Sequence, residues 1–142
     1  MTNSKTAHYM WIIIFLLLFV QCTGNKEKRL HNELVKRATE LNSSTPVALD
    51  EHTRFDSVRV STNNEFKYYY TIIRIDNPTL LIAQHKEEMI ETMDRMYATD
   101  KSLQFFATNH VTMKYIYNDL EGNVIDVITI EAGNYAMDKK QH

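Results

Sequence analysis

The densest group of side chains that could do acid–base or metal chemistry lies in the stretch DEHTRFDS, residues 50–57. Asp50, His52 and Asp56 combine carboxylates with an imidazole, and such groups can bind a metal ion or transfer protons during hydrolysis. The spacing does not fit an EF-hand loop, which needs oxygen ligands at alternate positions, a central glycine and a distal glutamate. We therefore interpret the stretch as a polar turn leading into a strand. A hydrolase centred on these three residues is the least favoured function.

The rest of the chain offers no recognised nucleophile or metal motif. Its six histidines are scattered without the HExxH spacing of zinc enzymes, and three glycines cannot form a Gly-rich phosphate loop. No GxSxG motif of a serine hydrolase occurs. The only cysteine, Cys22, can form neither an intramolecular disulfide nor a Cys-based zinc site. The sequence therefore predicts a protein that is not an enzyme and has no cofactor and no metal site.

Tyrosines in two strand-like segments are the other residues that could contact a ligand: Tyr68, Tyr69, Tyr70, Tyr115 and Tyr117. Aromatic rings on an open sheet can stack bases, but they also pair across ordinary strands. From Cys22 onward the chain has 15 Lys+Arg, since Lys5 precedes it, against 18 Asp+Glu, a net charge of −3. That balance lacks the basic footprint of a nucleic-acid-binding protein. We therefore expect no nucleic-acid partner and mostly core tyrosines, with Tyr69 as the candidate contact for a protein or cell-wall partner.

The elements that position these residues follow from hydrophobic spacing. Apolar residues at helical intervals predict an amphipathic helix from Lys26 to Leu41. Thr53 to Ser61 predicts a strand, and the alternating stretch from Glu65 to Asp76 predicts its hairpin partner. Asn77 followed by proline predicts the start of a second helix that runs to about Tyr97. Its predicted apolar stripe consists of Ile82, His85, Met89, Met93 and Met96. We expect His85 to lie in the core or at its edge.

The second half of the chain repeats the same order of elements. Leu103 to Asn109 fits either a last helical turn or a short crossing segment, and Val111 to Tyr117 predicts a strand. Val124 to Ile130 predicts a last strand that is central or covered, because both of its faces are apolar. The polar tail from Ala136 is expected to fray. The order α-β-β-α-β-β predicts an α+β fold, a two-layer sandwich in which one antiparallel sheet carries two helices on one face.

The N-terminal segment predicts where the protein works. Met10 to Val20 is an unbroken run of 11 apolar residues. This is too short to span a bilayer comfortably but suits the core of a signal peptide. The run ends at a lone cysteine followed by small and polar residues, which resembles the lipobox of bacterial lipoprotein signal peptides.

The lipobox resemblance implies that residues 1–21 are a signal peptide and that Cys22 carries the lipid. Residues 22–142 would then form a single domain held durably at a membrane by acyl chains. Ordinary secretory cleavage and an uncleaved N-terminal anchor are the alternatives.

Two further segments resemble a group of small, poorly characterised bacterial envelope proteins. Residues 46–71 contain the pattern Pro…Asp-x-x-Thr-Arg-x-Asp-x-Val and then Tyr-x-Tyr-Thr, and residues 113–130 look like the closing hairpin of that group. The resemblance implies the fold and no catalytic residues. Pilotin-type lipoproteins, small envelope domains that escort secretion components, are a looser analogy that rests on size and location.

These observations together predict a non-enzymatic lipoprotein of the bacterial cell envelope. It would act as a protein-interaction, assembly or protective accessory factor, with the membrane and another envelope protein as its partners. The alternative is a small-ligand or cell-wall-binding domain that uses a tyrosine-bearing sheet face.

Overall fold

The computed structural model describes residues 24–131, so Cys22 and the polar tail lie outside the described part. Residues 24–42 form a helix, α1. The elements that follow are β1 (Val47–Ala48), β2 (Thr53–Val60), β3 (Phe66–Ile72), α2 (Pro78–Thr99), α3 (Gln104–Thr108), β4 (Met113–Asn118) and β5 (Val124–Ile130). Helix α2 begins where the sequence predicts, since the Asn77 side chain accepts a hydrogen bond from the Leu80 backbone N–H at 3.1 Å.

The sheet has five strands in the order β1-β2-β3-β4-β5. Three neighbouring pairs are antiparallel and the central pair, β3 with β4, is parallel. A parallel pair needs a long crossover connection, which α2 and α3 supply between these two strands. The predicted α+β class with a mostly antiparallel sheet is therefore confirmed, and the sheet is mixed.

Both long helices pack on the same face of the sheet. Leu34 of α1 is fully buried, and Ile82 and Tyr97 of α2 are nearly so. They join one core with strand residues that all point to this face: Val58, Phe66, Met113, Ile128 and Ile130. We call it the helix face of the sheet and the opposite side the outer face. The predicted two-layer arrangement is thus the observed one.

Some local features differ from the sequence-based expectations. His85 is exposed and its Nδ1 lies 3.8 Å from a Glu88 carboxylate oxygen, so it lies off the apolar face of α2. Met96, the last residue of the predicted stripe, is 45% exposed, and Tyr97 is buried in its place, because it falls four residues after Met93 on the same side of the helix. Strand β5 is an edge strand, covered on the helix face by α2. The ambiguous segment contains the short helix α3, and β1 was not predicted.

Within residues 24–131, no helix is both long enough and apolar enough to cross a bilayer. The same part of the chain brings together no group of three His, Cys, Asp or Glu residues that could hold a metal ion.

Candidate functional site

Five aromatic side chains lie next to one another on the helix face, and we call them the tyrosine row: Phe55, Tyr68, Tyr70, Tyr115 and Tyr117. Strand register places them there. Phe55 is opposite Tyr70 on β2 and β3, and the parallel pairing of β3 with β4 sets Tyr68 beside Tyr115 and Tyr70 beside Tyr117. Alternation along each strand puts residues two apart on one face, so all five rings share a surface.

The rings of the tyrosine row are stacked across the strands. Tyr68 and Tyr115 have centroids 5.2 Å apart and planes 7° apart, and Tyr70 and Tyr117 have 5.3 Å and 19°. The ring of Phe55 extends the row onto β2, at 5.4 Å from Tyr70. Aromatic pairs at such distances stabilise by about 0.5–1.5 kcal/mol beyond their burial. The row is therefore a rigid surface that costs little further ordering when something binds.

The members of the tyrosine row differ in burial. Tyr117 is a buried core residue at 5% exposure, whereas Tyr68, Tyr70 and Tyr115 are only partly buried. Burial of the phenol groups raises the pKa of Tyr115 to about 12 and raises the pKa of Tyr70 further, because it disfavours the charged phenolate. All of these phenols are therefore neutral at physiological pH.

The hydroxyl groups of the row are available for hydrogen bonds. None of the four tyrosine hydroxyls bonds to another residue of the described chain, and none is among its buried polar atoms without a partner. Each hydroxyl therefore lacks a hydrogen-bond partner within residues 24–131, although burial of the phenol leaves it little contact with solvent. A surface with apolar ring bodies and free polar tips is the usual character of tyrosines that contact a partner.

A charged pair lies next to the tyrosine row, at its β5 side. Asp126 lies opposite Tyr117 in the sheet, and its carboxylate is 2.8 Å from Nζ of Lys86 on α2. After desolvation and the neighbouring Tyr115, this carboxylate is a further cause that raises the pKa of Tyr117. At this side of the row, the available hydrogen-bond acceptor is the Asp126 carboxylate, whose negative charge is partly offset by Lys86.

Tyr69, the contact residue expected from the sequence, lies on the outer face. It pairs with Ile116 of β4, and the guanidinium of Arg59 lies 5.2 Å above its ring centroid. Ile116 is 8% exposed, whereas Val127 beside it on β5 is 40% exposed. Tyr69 is itself partly buried, so it both covers a neighbour and offers a surface next to a cation.

Below Tyr69 on the outer face, two lysines hold one carboxylate between them. Lys67 and Lys114 are direct neighbours on β3 and β4, and Glu65 is 3.0 Å from the first ammonium and 2.6 Å from the second. Hydrogen bonds from Lys114 and then Lys67 lower the pKa of Glu65 to about 2. The carboxylate therefore stays ionised and offsets the repulsion of the paired lysines.

Asp50, His52 and Asp56 do not form a catalytic group in the described structure. The Asp50 carboxylate accepts hydrogen bonds from the backbone N–H groups of His52 and Thr53, which lowers its pKa and fixes the turn before β2. Asp56 accepts hydrogen bonds from the side chains of Arg54 and Thr71. Among residues 24–131, no hydrogen bond joins the His52 ring to either carboxylate.

The tyrosine row was only partly visible in the sequence. Alternation separated Tyr69 from Tyr68 and Tyr70, and it also put Tyr115 and Tyr117 on one face. The adjacency of those two pairs depends on the parallel contact between β3 and β4, which no local pattern indicates. The free hydroxyls are likewise a property of the packed domain.

Several solved structures share this fold. A Pseudomonas aeruginosa protein described as secreted has a TM-score of 0.67 and 14% sequence identity, with 76% of this chain and 94% of that chain covered. The pilotin EpsS of the Vibrio vulnificus type 2 secretion system has a TM-score of 0.61, 17% identity and coverages of 78% and 94%. The pilotin AspS of the Vibrio cholerae type II secretion system has a TM-score of 0.59, 10% identity and coverages of 78% and 96%.

At these identities the likeness concerns the fold. No curated protein sequence matches the chain. A sequence family does match, over residues 29–125, from the second turn of α1 to the start of β5. The chain belongs to the family of domains of unknown function DUF8479.

Proposed function

We propose that this protein is a non-enzymatic accessory factor of the bacterial cell envelope that binds another envelope protein through the tyrosine row. Three observations support this: the fold is shared with two type II secretion pilotins, the N-terminal segment resembles a lipoprotein signal, and the row is partly exposed. The row carries the proposal, because four desolvated rings with free hydroxyls form a ready-made protein contact.

The proposal includes the anchor. Residues 1–21 would be removed, Cys22 would carry the acyl chains, and residues 22–142 would remain as one domain at the membrane. Residues from 24 onward are already helical, so at most two residues separate the cysteine from the folded domain. Such a link reaches about 7 Å when extended. The domain would then work at the membrane surface.

The partner segment should present apolar side chains to the rings and polar groups to the hydroxyls. An aromatic row fixed by the sheet loses little conformational entropy on binding, which favours contact with a short amphipathic segment. A side chain bonds to the backbone at each open sheet edge: Asn42 bonds to Val58 on β2, and Asp126 bonds to the Val127 N–H on β5. Binding through a face is therefore favoured over strand addition.

The experiment compares two Tyr→Phe variants with the unchanged chain in pull-downs from detergent-solubilised envelopes. Tyr70→Phe/Tyr115→Phe removes two free hydroxyls without opening a cavity, so the melting temperature should stay near that of the unchanged chain. Loss of two hydrogen bonds at about 1 kcal/mol each should weaken capture of the partner by roughly tenfold or more.

Tyr69→Phe is the matched control, because it removes one hydroxyl from the outer face. The row is supported if the double variant loses the partner and the control keeps it. Equal recovery by all three chains, or no specific partner under conditions that preserve known complexes, would contradict the proposal.

A second candidate uses the outer face, where Tyr69 would bind a small ligand or a cell-wall fragment. The Arg59 guanidinium above the Tyr69 ring favours this function, because it places a cation beside a partly exposed aromatic ring. Tyr69→Ala should then abolish binding of peptidoglycan fragments while Tyr70→Phe/Tyr115→Phe leaves it unchanged. The opposite pattern would assign binding to the tyrosine row.

A further inference from the structure

Charged side chains are distributed unequally between the two ends of the sheet. Strand register places Val60, Phe66, Met113 and Ile130 in one row across β2, β3, β4 and β5. The first described turns of α1 lie at this end, since His31 Nδ1 is 2.9 Å from the Asn64 side-chain oxygen in the turn between β2 and β3. Helix α2 ends there, because the Tyr97 hydroxyl donates to the Val111 carbonyl at 2.8 Å.

We call this the basic end, because it contains seven lysines and arginines and five carboxylates, a difference of +2. The cations are Lys26, Lys28, Arg29, Arg59, Lys67, Lys101 and Lys114, and the carboxylates are Glu27, Glu33, Glu65, Asp100 and Glu131. His31 and His110 add positive charge when they are protonated. The excess is notable because the chain from Cys22 onward has a net charge of −3.

The opposite end of the sheet is acidic. It is formed by the loops at residues 49–52, 73–77 and 119–123. These loops contain one cation, Arg74, and five carboxylates: Asp50, Glu51, Asp76, Asp119 and Glu121. Hydrogen bonds from neighbouring groups lower the pKa values of Asp50 and Asp119, so both stay ionised at physiological pH. The domain is therefore electrically polarised along its strands.

The basic end contains the first described residues of the chain. Helix α1 and the α3 region line a cleft of about 990 Å³ there, whose charged residues are Lys26, Glu27, Arg29, Glu33 and, when it is protonated, His110. Cys22 precedes the first described helical residue by two positions. A membrane anchor at the N-terminus would thus hold this end, and not the acidic end, next to the lipid headgroups.

We propose that the basic end rests on the anionic headgroups of the membrane that holds the N-terminal anchor. The occupant is a lipid surface, because the attraction needs a broad negative charge within about 8–10 Å of the cations, and the anchor supplies that closeness. This orientation turns the acidic end and the open part of the tyrosine row away from the bilayer. The inference rests on the anchoring in the proposed function.

The test measures which end of the anchored domain lies near the headgroups. The full chain is purified in detergent and returned to phosphatidylcholine vesicles with or without phosphatidylglycerol. A fluorophore is attached at Thr62→Cys, in the β2–β3 turn of the basic end, or at Thr79→Cys, in the first turn of α2 near the acidic end; both positions are exposed. A headgroup-bound nitroxide then quenches whichever label is close.

The Thr62 label should be quenched strongly in vesicles that contain phosphatidylglycerol, less in phosphatidylcholine alone, and less again at high salt. The Thr79 label should be quenched weakly in every case. Lys28→Glu/Lys101→Glu should remove the part of the quenching that depends on phosphatidylglycerol. Lys36→Glu/Arg74→Glu makes the same charge change at exposed positions away from the basic end, in the middle of α1 and in the 73–77 loop, and should leave the quenching unchanged.

Each alternative outcome contradicts a stated part of the inference. If the chain stays on the vesicles but both labels are quenched equally, or Thr79 more, the orientation is wrong while the anchor stands. If the chain leaves the vesicles, both the anchor and the orientation fail. Labelling of the unchanged chain tests acylation separately, because its only thiol is Cys22 and an acylated cysteine does not react.

Discussion

The side-chain amide of Asn42, at the end of α1, bonds both backbone groups of Val58 on β2. Its Nδ2 donates to the Val58 carbonyl at 2.9 Å, and its Oδ1 accepts from the Val58 N–H at 2.7 Å. Strand β1 pairs with β2 only at Arg54 and Phe55, so these groups of Val58 have no neighbouring strand. One side chain therefore fixes the end of α1 and occupies the open edge of β2.

Asn42→Ala should lower the free energy of unfolding by about 2 kcal/mol, because it leaves a donor and an acceptor of the strand without partners. Denaturant unfolding measures the loss. Asn32→Ala, at an exposed position of the same helix, is the matched control and should change stability by less than about 0.5 kcal/mol. Equal stability of the two variants would show that the Asn42 contacts contribute little.

The other edge of the sheet is occupied by Asp126. Its carboxylate accepts a hydrogen bond from the Val127 N–H at 2.7 Å and also holds Lys86. Asp126→Ala should free the β5 edge and promote pairing between copies of the chain, since unpaired strand edges template association. Sedimentation velocity in detergent should then show association that grows with protein concentration.

Lys86→Met separates the two roles of Asp126, because it removes the ion pair and leaves the carboxylate on the Val127 N–H. This variant should remain monomeric at concentrations where Asp126→Ala associates. Association of both variants to the same extent would assign the effect to the lost ion pair.

The tyrosine row should make the protein sensitive to alkali. Burial raises the pKa of Tyr97 and of Tyr115 to about 12, and raises those of Tyr68, Tyr70 and Tyr117 above their usual range. A folded chain that keeps these protons while the unfolded chain loses them is fully stabilised below pH of about 10. Above that pH the free energy of unfolding should fall, by up to about 1.4 kcal/mol per pH unit for each tyrosine.

Circular dichroism and tyrosinate absorbance are recorded between about pH 9 and about pH 12, the range in which stability is expected to fall. The two signals should change together as the fold is lost. Tyr115→Phe removes one of the titrating groups and should move the midpoint to higher pH. If the absorbance change near pH 10 accounts for all eight tyrosines while circular dichroism is constant, the five phenols are not desolvated as the structure has them.

Glu65 should contribute stability that disappears in acid. Glu65→Gln leaves Lys67 and Lys114 as neighbouring like charges and should lower the free energy of unfolding by roughly 1 kcal/mol at neutral pH. The pKa of Glu65 is lowered to about 2, so its contribution is present above its usual pKa and is lost as pH falls towards 2.

Urea unfolding at a series of pH values compares Glu65→Gln with the unchanged chain. The two curves should converge as the pH drops, and Glu51→Gln, at an exposed position without an ion pair in the described structure, should show no such convergence. A difference for Glu65→Gln that is constant with pH would rule out the charge as its cause.

Local patterns in the sequence were sufficient for much of the secondary structure and for part of the candidate site. The apolar spacing of α1, the Asn77-Pro78 start of α2 and the bounds of β5 agree with the structure. These features depend on interactions within a few residues, so composition and periodicity carry them. His85 was misplaced, because its position three residues after Ile82 fits an apolar stripe equally well until α2 is packed.

The sequence alone determined which side chains share a face within each element, including the separation of Tyr69 from Tyr68 and Tyr70. It also supplied the lipobox-like N-terminal segment on which the predicted location rests. Only the tertiary structure decided that β3 runs parallel to β4, that two tyrosine pairs meet in one row, and that charge separates between the ends of the sheet. The physical reason is distance along the chain. Asn118 donates to the carbonyl of Tyr70, 48 residues earlier, and such contacts form only when helices and sheet bury their apolar faces together.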